Sequence, residues 1–332
     1  VRQWLTTAWH RGHPALWLLW PLSFLYLGIT GLRRHAYRHD WLSSQRFPVP
    51  VVVVGNITVG GTGKTPIILA LIKRLQQEGF RPGVVSRGYG GSAVYPLQVS
   101  ERVSTAETGD EPMTIFRRSG VPVVVDPKRS RATGFLLQNT DCDIVLSDDG
   151  LQHYALARDI EIAVIDGARG LGNGQLLPAG PLREAPSRLA GVDYVITNGE
   201  GYSVPGAFIM QLLPQPWRNV RDASCALPGA GSRIHAVAGI GNPDRFFTQL
   251  RRQGFEVITH AFPDHHAYVA ADFAFADGSP IVMTEKDAVK CTDLAADNWW
   301  FVPVTADLPE TFYVSFLQKL KQLQATRVSR HA

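Results

Sequence analysis

The pattern of apolar and polar positions divides the chain into two runs of alternating elements. Val49–Val54 is an almost unbroken β-branched stretch, which predicts a strand buried on both faces. Ile67 to Leu75 is an apolar amphipathic run and predicts a helix, ending near Gly79. Further strands are predicted at 82–86, 121–125, 143–147, 160–166 and 193–197. This alternation implies a parallel sheet with helices on both faces. Residues 201–232 are rich in Gly, Pro and Ser and read as a connection. A second alternation follows: strand 234–239, helix 243–253, strands 255–261, 280–284 and 299–304, and helix 309–324. The fold class expected is α/β, with two lobes: 47–205 as the core, 206–232 as the connection, and 233–332 as a smaller α/β domain closing a cleft. The last helix is free to pack on either lobe. No internal repeat or low-complexity tract interrupts the pattern.

Residues 1–46 stand apart. Pro14 to Leu32 is a run of 19 residues without a formal charge. As a helix it would span about 28 Å, barely the hydrocarbon thickness. Pro21 and Gly28 interrupt it. Five of the eight tryptophans (Trp4, Trp9, Trp17, Trp20, Trp41) fall in this segment. Trp beside Arg is the composition of a membrane–water interface. Three readings compete: a cleaved signal peptide, a core helix, and a membrane anchor. No small-x-small cleavage site follows the run, which disfavours the first. The anchor is the reading adopted, and Arg33, Arg34 and Arg38 then place the following domain on the cytoplasmic side.

Charge sharpens that division. The net charge is +4. Six arginines (Arg2, Arg11, Arg33, Arg34, Arg38, Arg46) against Asp40 give the first 46 residues +5, so the remainder is −1. The basic character belongs to the anchor, and nothing in the body supports nucleic-acid binding. Three scattered cysteines (Cys142, Cys225, Cys291) argue by their spacing against a disulfide framework or structural zinc site and fit a reducing compartment.

The most specific chemistry follows the first strand, in Gly55-Asn56-Ile57-Thr58-Val59-Gly60-Gly61-Thr62-Gly63-Lys64-Thr65-Pro66. A strand, a Gly-rich loop and a helix in that order give a P-loop its meaning. Thr58 to Thr65 are the candidate nucleotide-binding residues: Thr58, Val59, Gly60, Gly61, Thr62, Gly63, Lys64 and Thr65. Backbone N–H groups turn toward one anion, and the helix N-terminus adds its positive dipole end. Lys64 reaches the β- and γ-phosphates of ATP, and the Thr65 hydroxyl ligates Mg²⁺. The usual first glycine is replaced by Thr58. Asp148 and Asp149 follow strand 143–147, where a Walker-B acid holds Mg²⁺. On spacing alone that pair also reads as a turn or helix cap.

The chain resembles the tetraacyldisaccharide 4′-kinase (lipid A 4′-kinase) family. The resemblance rests on GNITVGGTGKTP (55–66), SRGYG (86–90), GDEP (109–112), DDGLQH (148–153), LLPAGPLRE (176–184), AGIGNPDRFF (238–247), FPDHH (262–266) and TEKDAVK (284–290), in the family's order across almost the whole chain. Thr58 is usual in this family. The resemblance implies a P-loop kinase with ATP and Mg²⁺. It would transfer the γ-phosphoryl group to the 4′-hydroxyl of tetraacyldisaccharide 1-phosphate, forming lipid IVA. It also implies a peripheral or monotopic place on the cytoplasmic face of the inner membrane, a lipid disaccharide monophosphate as partner, and no obligate protein partner.

The family pattern makes Asp110 the base and His265 its partner, with Glu111 a candidate magnesium-shell ligand. On bare spacing Asp110 reads as a helix cap. The dyad spans 155 residues, so the expected active site is a cleft between lobes. Arg183 is expected to neutralise transferring phosphate charge. Glu184 is a candidate for the metal or nucleotide network, or for an ion pair anchoring its loop. Arg129 is a further phosphate candidate, and His153 either positions groups near the Asp pair or packs structurally. Lys286 and Asp287 either face the cleft or cap the next helix. The competing reading is a P-loop NTPase that switches a protein partner. A guanine-specific [NT]KxD would favour it, and TEKD at 284–287 does not complete that pattern.

Overall fold

In a computed structural model of the chain, residues 8–9 and 13–331 are described. Arg2, Trp4 and Arg11 lie outside them. Two sheets carry the molecule. The larger has nine strands in the order β14-β8-β7-β6-β1-β5-β2-β4-β3. Its centre is β1 (Val51–Gly55), parallel to β5 (Ile144–Asp148) on one side and to β6 (Ile160–Asp166) on the other. Val51 to Val54 are essentially inaccessible, because helices cover both faces. Towards one edge follow β2 (Pro82–Ser86), β4 (Val123–Val125) and the short antiparallel β3 (Leu97–Gln98). Towards the other lie β7 (Tyr194–Asn198), β8 (Phe208–Pro214) and the antiparallel β14 (Val304–Asp307). Chain order reverses at β1, which opens a crevice beyond its carboxyl end, the usual place for a ligand in such sheets.

The smaller sheet is ordered β11-β10-β12-β13-β9. It comprises β9 (Arg218–Asn219), β10 (Arg233–Ala238), β11 (Glu256–Ala261), β12 (Ile281–Thr284) and β13 (Trp299–Val302). All its pairings are parallel except β13 with β9. Its carboxyl-end loops meet those of the larger sheet.

Two expectations need correction. The strand predicted at 299–304 is two strands in different sheets, separated at Pro303. Proline has no N–H to donate and marks the break. Residues 233–332 are therefore not one unit: β14 and the helix Glu310–His331 return to the larger sheet, where Phe312, Phe316 and Leu320 are buried in its core. The connection 206–232 likewise contains β8 of one sheet and β9 of the other.

The N-terminal segment forms a 3₁₀ turn, Pro14–Leu19, running into the helix Trp20–Arg38. The core-helix reading does not hold. Trp17, Leu18, Leu22, Phe24, Leu25, Ile29 and Leu32 are all more than half exposed, while Leu16, Ser23 and Ala36 face the protein. Residues 14–38 are long and apolar enough to cross a membrane by length and composition.

Candidate active site

The phosphate loop turns at Gly63, whose φ of 95° is open to glycine but strained for other residues. A Cβ there would also come within 2.6 Å of the Asn198 amide nitrogen. Asn198, at the end of β7, donates to the Thr62 carbonyl at 3.0 Å, and Arg169 donates to the Gly61 carbonyl. Both bonds occupy loop carbonyls and so fix the loop's backbone. Lys64 opens the helix Lys64–Gln77 and is nearly buried, 3.3 Å from Asn56 Oδ1 and 3.5 Å from Asp149. The first two expected loop residues serve otherwise. Thr58 pairs with Leu182 across an antiparallel bridge, and the Val59 amide donates to Pro181. That leaves Gly60 to Thr65 as the part of the loop free to meet an anion.

Asp148 ends β5 and Asp149 follows it beside this loop, in different surroundings. Asp148 is buried and accepts from Ser86 Oγ at 3.1 Å, while its Oδ1 is among the buried atoms with no hydrogen-bond partner. Burial, and then the charge of Glu111, push its carboxyl up to about 7. Asp149 sits in the left-handed region at φ 47° and accepts from Arg183 Nη1 at 3.1 Å on both oxygens. Burial raises its pKa, but the charges of Lys64 and Arg183 outweigh burial and hold it below the usual range.

Beyond these acids stands the dyad expected from the resemblance. Asp110 begins the helix Asp110–Ser119, immediately after Gly109 at φ 84°. His265 follows β11 and brings Nδ1 within 3.1 Å of Asp110 Oδ2. The residues lie 155 positions apart and meet where the two sheets face each other. Burial pushes the Asp110 carboxyl up, but the His265 hydrogen bond and the charges of Lys290 and Lys286 outweigh it and hold it low. Asp110 is ionised at neutral pH. A pocket of about 20 Å³ brings together Ser86, Arg87, Glu111, Asp148, Asp149 and His265. A larger cavity of about 260 Å³ runs from Gly61, Gly63 and Thr65 to Asn242, Arg245 and Lys286 on the other body.

Lys286 is the main residue that sequence reasoning left undecided. Its Nζ lies 3.2 Å from Glu111, 3.1 Å from Asp264 and 3.2 Å from His265 Nε2. Burial lowers its pKa, but the carboxylates of Glu111, Asp264 and Asp110 more than compensate, so it stays charged. An ammonium only donates, so Nε2 of His265 accepts and Nδ1 carries the proton towards Asp110. Lys290, one turn later, lies 3.6 Å from Asp110. Asp287 is fully buried, accepting from the Gly239 amide and Thr284 Oγ1, and takes the structural role. Tyr89 of SRGYG lies against His265, with ring centroids 5.0 Å apart. Charge patterning in TEKDAVK, with lysines four apart on one helix face, was the available signal for the lysine pair.

Three further candidates are engaged by neighbouring protein groups. Glu184 accepts from Gln152 and Tyr154 and pairs with Arg188 at 3.3 Å, so it anchors its loop. His153 Nε2 accepts from the Arg129 amide at 3.2 Å and caps the helix Arg129–Asn139. Arg129 is buried beneath the acids, donating to the carbonyls of Asp126 and Asp148. Burial pulls its guanidinium down to about 10.

The residues fit a divalent cation. Among the described residues no three acid, His or Cys side chains converge to hold a metal alone. Mg²⁺ keeps waters and takes phosphate oxygens with one or two carboxylates. Asp148, with an unpartnered buried oxygen, is the carboxylate that would be available to it.

The family model described as tetraacyldisaccharide-1-P 4′-kinase matches residues 15–321. A tetraacyldisaccharide 4′-kinase of Methylobacillus flagellatus is 47% identical over 331 residues, 98% of each chain. One of Tolumonas auensis is 50% identical over 95% of this chain and 97% of its own. One of Pseudomonas aeruginosa is 48% identical over 97% and 98%. The crystal structure of an "apo" form of LpxK from Aquifex aeolicus in complex with ATP superposes with a TM-score of 0.77. It is 28% identical and covers 93% of this chain and 98% of that one.

Proposed function

The chain belongs to the tetraacyldisaccharide-1-P 4′-kinase family, and from that membership we propose the following assignment of roles to its residues. The activity is that of an ATP-dependent 4′-kinase in lipid A biosynthesis. The acceptor is the 4′-hydroxyl of tetraacyldisaccharide 1-phosphate, and the product is lipid IVA.

ATP lies with its phosphates against the amides of Gly60–Thr65, and Lys64 lies along the β- and γ-phosphates. Asp110, kept ionised, accepts the proton of the acceptor hydroxyl as its oxygen attacks the γ-phosphorus. The new O–P bond forms as the bond from γ-phosphorus to the bridging oxygen breaks, and ADP leaves with that electron pair. His265 holds the Asp110 carboxylate through Nδ1–H, and Lys286 holds His265 in that tautomer. Arg183 faces the developing phosphate charge while fixing Asp149. When bound, Mg²⁺ neutralises phosphate charge; Thr65, Asp148 and Glu111 are the residues that would hold it, while Asp149 serves mainly as the anionic partner of Lys64 and Arg183. The exposed apolar face of residues 14–38 lies in the cytoplasmic leaflet of the inner membrane, where the lipid acceptor resides.

The observation that carries this reading is the Asp110–His265 contact at 3.1 Å, made beside the phosphate loop by residues from the two facing bodies. The test is phosphate transfer from labelled ATP to the lipid disaccharide monophosphate by Asp110→Asn. Transfer is expected to fall by about 10³-fold, within the range of general-base catalysis, with ATP affinity nearly unchanged. Near-wild-type transfer would overturn the base assignment.

A further inference from the structure

Of the side chains on helix Trp20–Arg38, only Ser23 and Ala36 are buried. Ser23 is polar, and its hydroxyl both donates to and accepts from one loop. Its Oγ donates to the Leu176 carbonyl at 2.9 Å and accepts from the Ala179 amide at 3.0 Å. One turn on, Tyr26 OH donates to the Arg183 carbonyl at 3.2 Å. Trp9 Nε1 donates to the Pro178 carbonyl at 3.0 Å. Three side chains of the apolar N-terminal segment thus grip residues 176–183.

That loop grips the phosphate site in turn. The Val59 amide donates to Pro181 at 2.8 Å, and the Arg183 amide donates to Ile57 at 2.7 Å. Val59 of the phosphate loop also packs against the apolar cluster of Trp9 and Leu16. Arg183 therefore has its carbonyl held by the apolar helix, its amide by the phosphate loop, and its guanidinium by Asp149. No reaction chemistry requires a serine and a tyrosine on a lipid-facing helix to bond this loop. Burying those hydroxyls without partners would cost stability, and an apolar pair would seat the helix as well.

We propose that residues 176–184 are a brace through which the seat of the apolar helix sets the position of the phosphate loop and of Arg183. Ser23 and Tyr26 are positioning residues for phosphoryl transfer, acting through Arg183 rather than on substrate. This rests on the kinase reading above and deepens it, because the segment that meets the bilayer is also a part of the active-site frame. Sub-ångström placement of a charge-neutralising group is where such a brace has its effect.

The test is a set of variants, Ser23→Ala, Tyr26→Phe and the Ser23→Thr control, on phosphatidylethanolamine–phosphatidylglycerol vesicles carrying the lipid acceptor. Vesicle flotation is expected to be unchanged. The kcat of Tyr26→Phe and Ser23→Ala is expected to fall roughly tenfold with KM for the lipid nearly constant, and Ser23→Thr is expected to recover most of it. A double-mutant cycle separates positioning from general destabilisation. In an Arg183→Ala background, Tyr26→Phe should have little further effect on kcat or on ATP affinity. Full additivity in that cycle, or an unchanged kcat in both variants, would overturn the brace. If the wild-type protein transferred no phosphate to the lipid, the kinase reading would fail, and the ATP-affinity cycle would still decide the brace.

Discussion

The two sheets contribute different chemistry to one crevice. The larger is buried through its centre and ends in the phosphate-loop amides of Gly60–Thr65 and in the acids Asp148 and Asp149 at the end of β5 and just beyond it. The smaller contributes side chains on loops and short helices: His265 after β11, Lys286 and Lys290 after β12. Its edge strand β11 is largely open to solvent, with no fully buried position. The two bodies are linked by the chain at Pro214–Arg218 and Val302–Val304, and by side-chain clasps such as Arg118–Glu285 at 2.7 Å. On the proposed reading, anion binding sits on the buried frame, and proton handling depends on how the second body sits against it. Asp110 belongs to the first body and its partner to the second, so the dyad measures that apposition directly.

This contrast predicts which variants change ATP affinity and which change only turnover. The largest effect is expected on the frame. Lys64→Met removes the cation nearest the phosphate site and leaves Asp149 with one fewer charge partner. Transfer should fall by about 10³-fold or more, and ATP affinity should fall as well, as read by titration calorimetry. Retained ATP affinity would mean that the frame is not what binds the phosphates. A smaller effect is expected on the second body. Lys286→Met should reduce kcat by roughly 10²-fold while leaving ATP affinity within about twofold. Lys286→Arg should restore part of the loss, because it still donates to His265 Nε2. Equal loss of ATP affinity in both variants would erase the distinction between the bodies.

Much of the frame was legible in the sequence, for a physical reason. Strands such as Val51–Val54, Ile144–Leu146 and Ile162–Ile165 are buried on both faces, so their composition alone marks them. GGTGKT is constrained by backbone conformation at Gly60 and Gly63, which forces a recognisable spelling. The pairing of Asp110 with His265 was not legible from spacing, because it depends on how two bodies meet; only the resemblance pointed to it. The break at Pro303 was hidden because Trp299–Val302 and Val304–Asp307 are both good strands, and only the proline between them signals a change of sheet. Glu184 and His153 were left with two readings each for a shared reason, and their contacts match the structural one. Both stand next to reactive neighbours in sequence, while their side chains turn away to hold a loop and a helix end. Asp148 and Asp149 look equivalent as letters, and only the cations around Asp149 and the unpartnered oxygen of Asp148 tell them apart.

The smallest effect tests whether the frame is preformed. His153 caps the helix Arg129–Asn139 with a neutral imidazole, whose Nε2 must stay unprotonated to accept from the Arg129 amide. Burial, then the charges of Arg129 and Arg158, pull its pKa down from 6.5 to about 4. The folded state therefore binds fewer protons than the unfolded chain between those values, so stability rises with pH across that window. The contribution is complete above pH 6.5 and is lost as pH falls towards about 4. Thermal melts of the nucleotide-free protein across this range should show the loss. In His153→Gln, whose amide oxygen still accepts the Arg129 N–H but cannot titrate, the decline should be shallower, with the two proteins closest in stability at the neutral end. Parallel declines would mean that acid sensitivity arises elsewhere. A shallower decline in the variant would place part of it at the helix beneath Asp148, on the frame and not at the apposition of the two bodies.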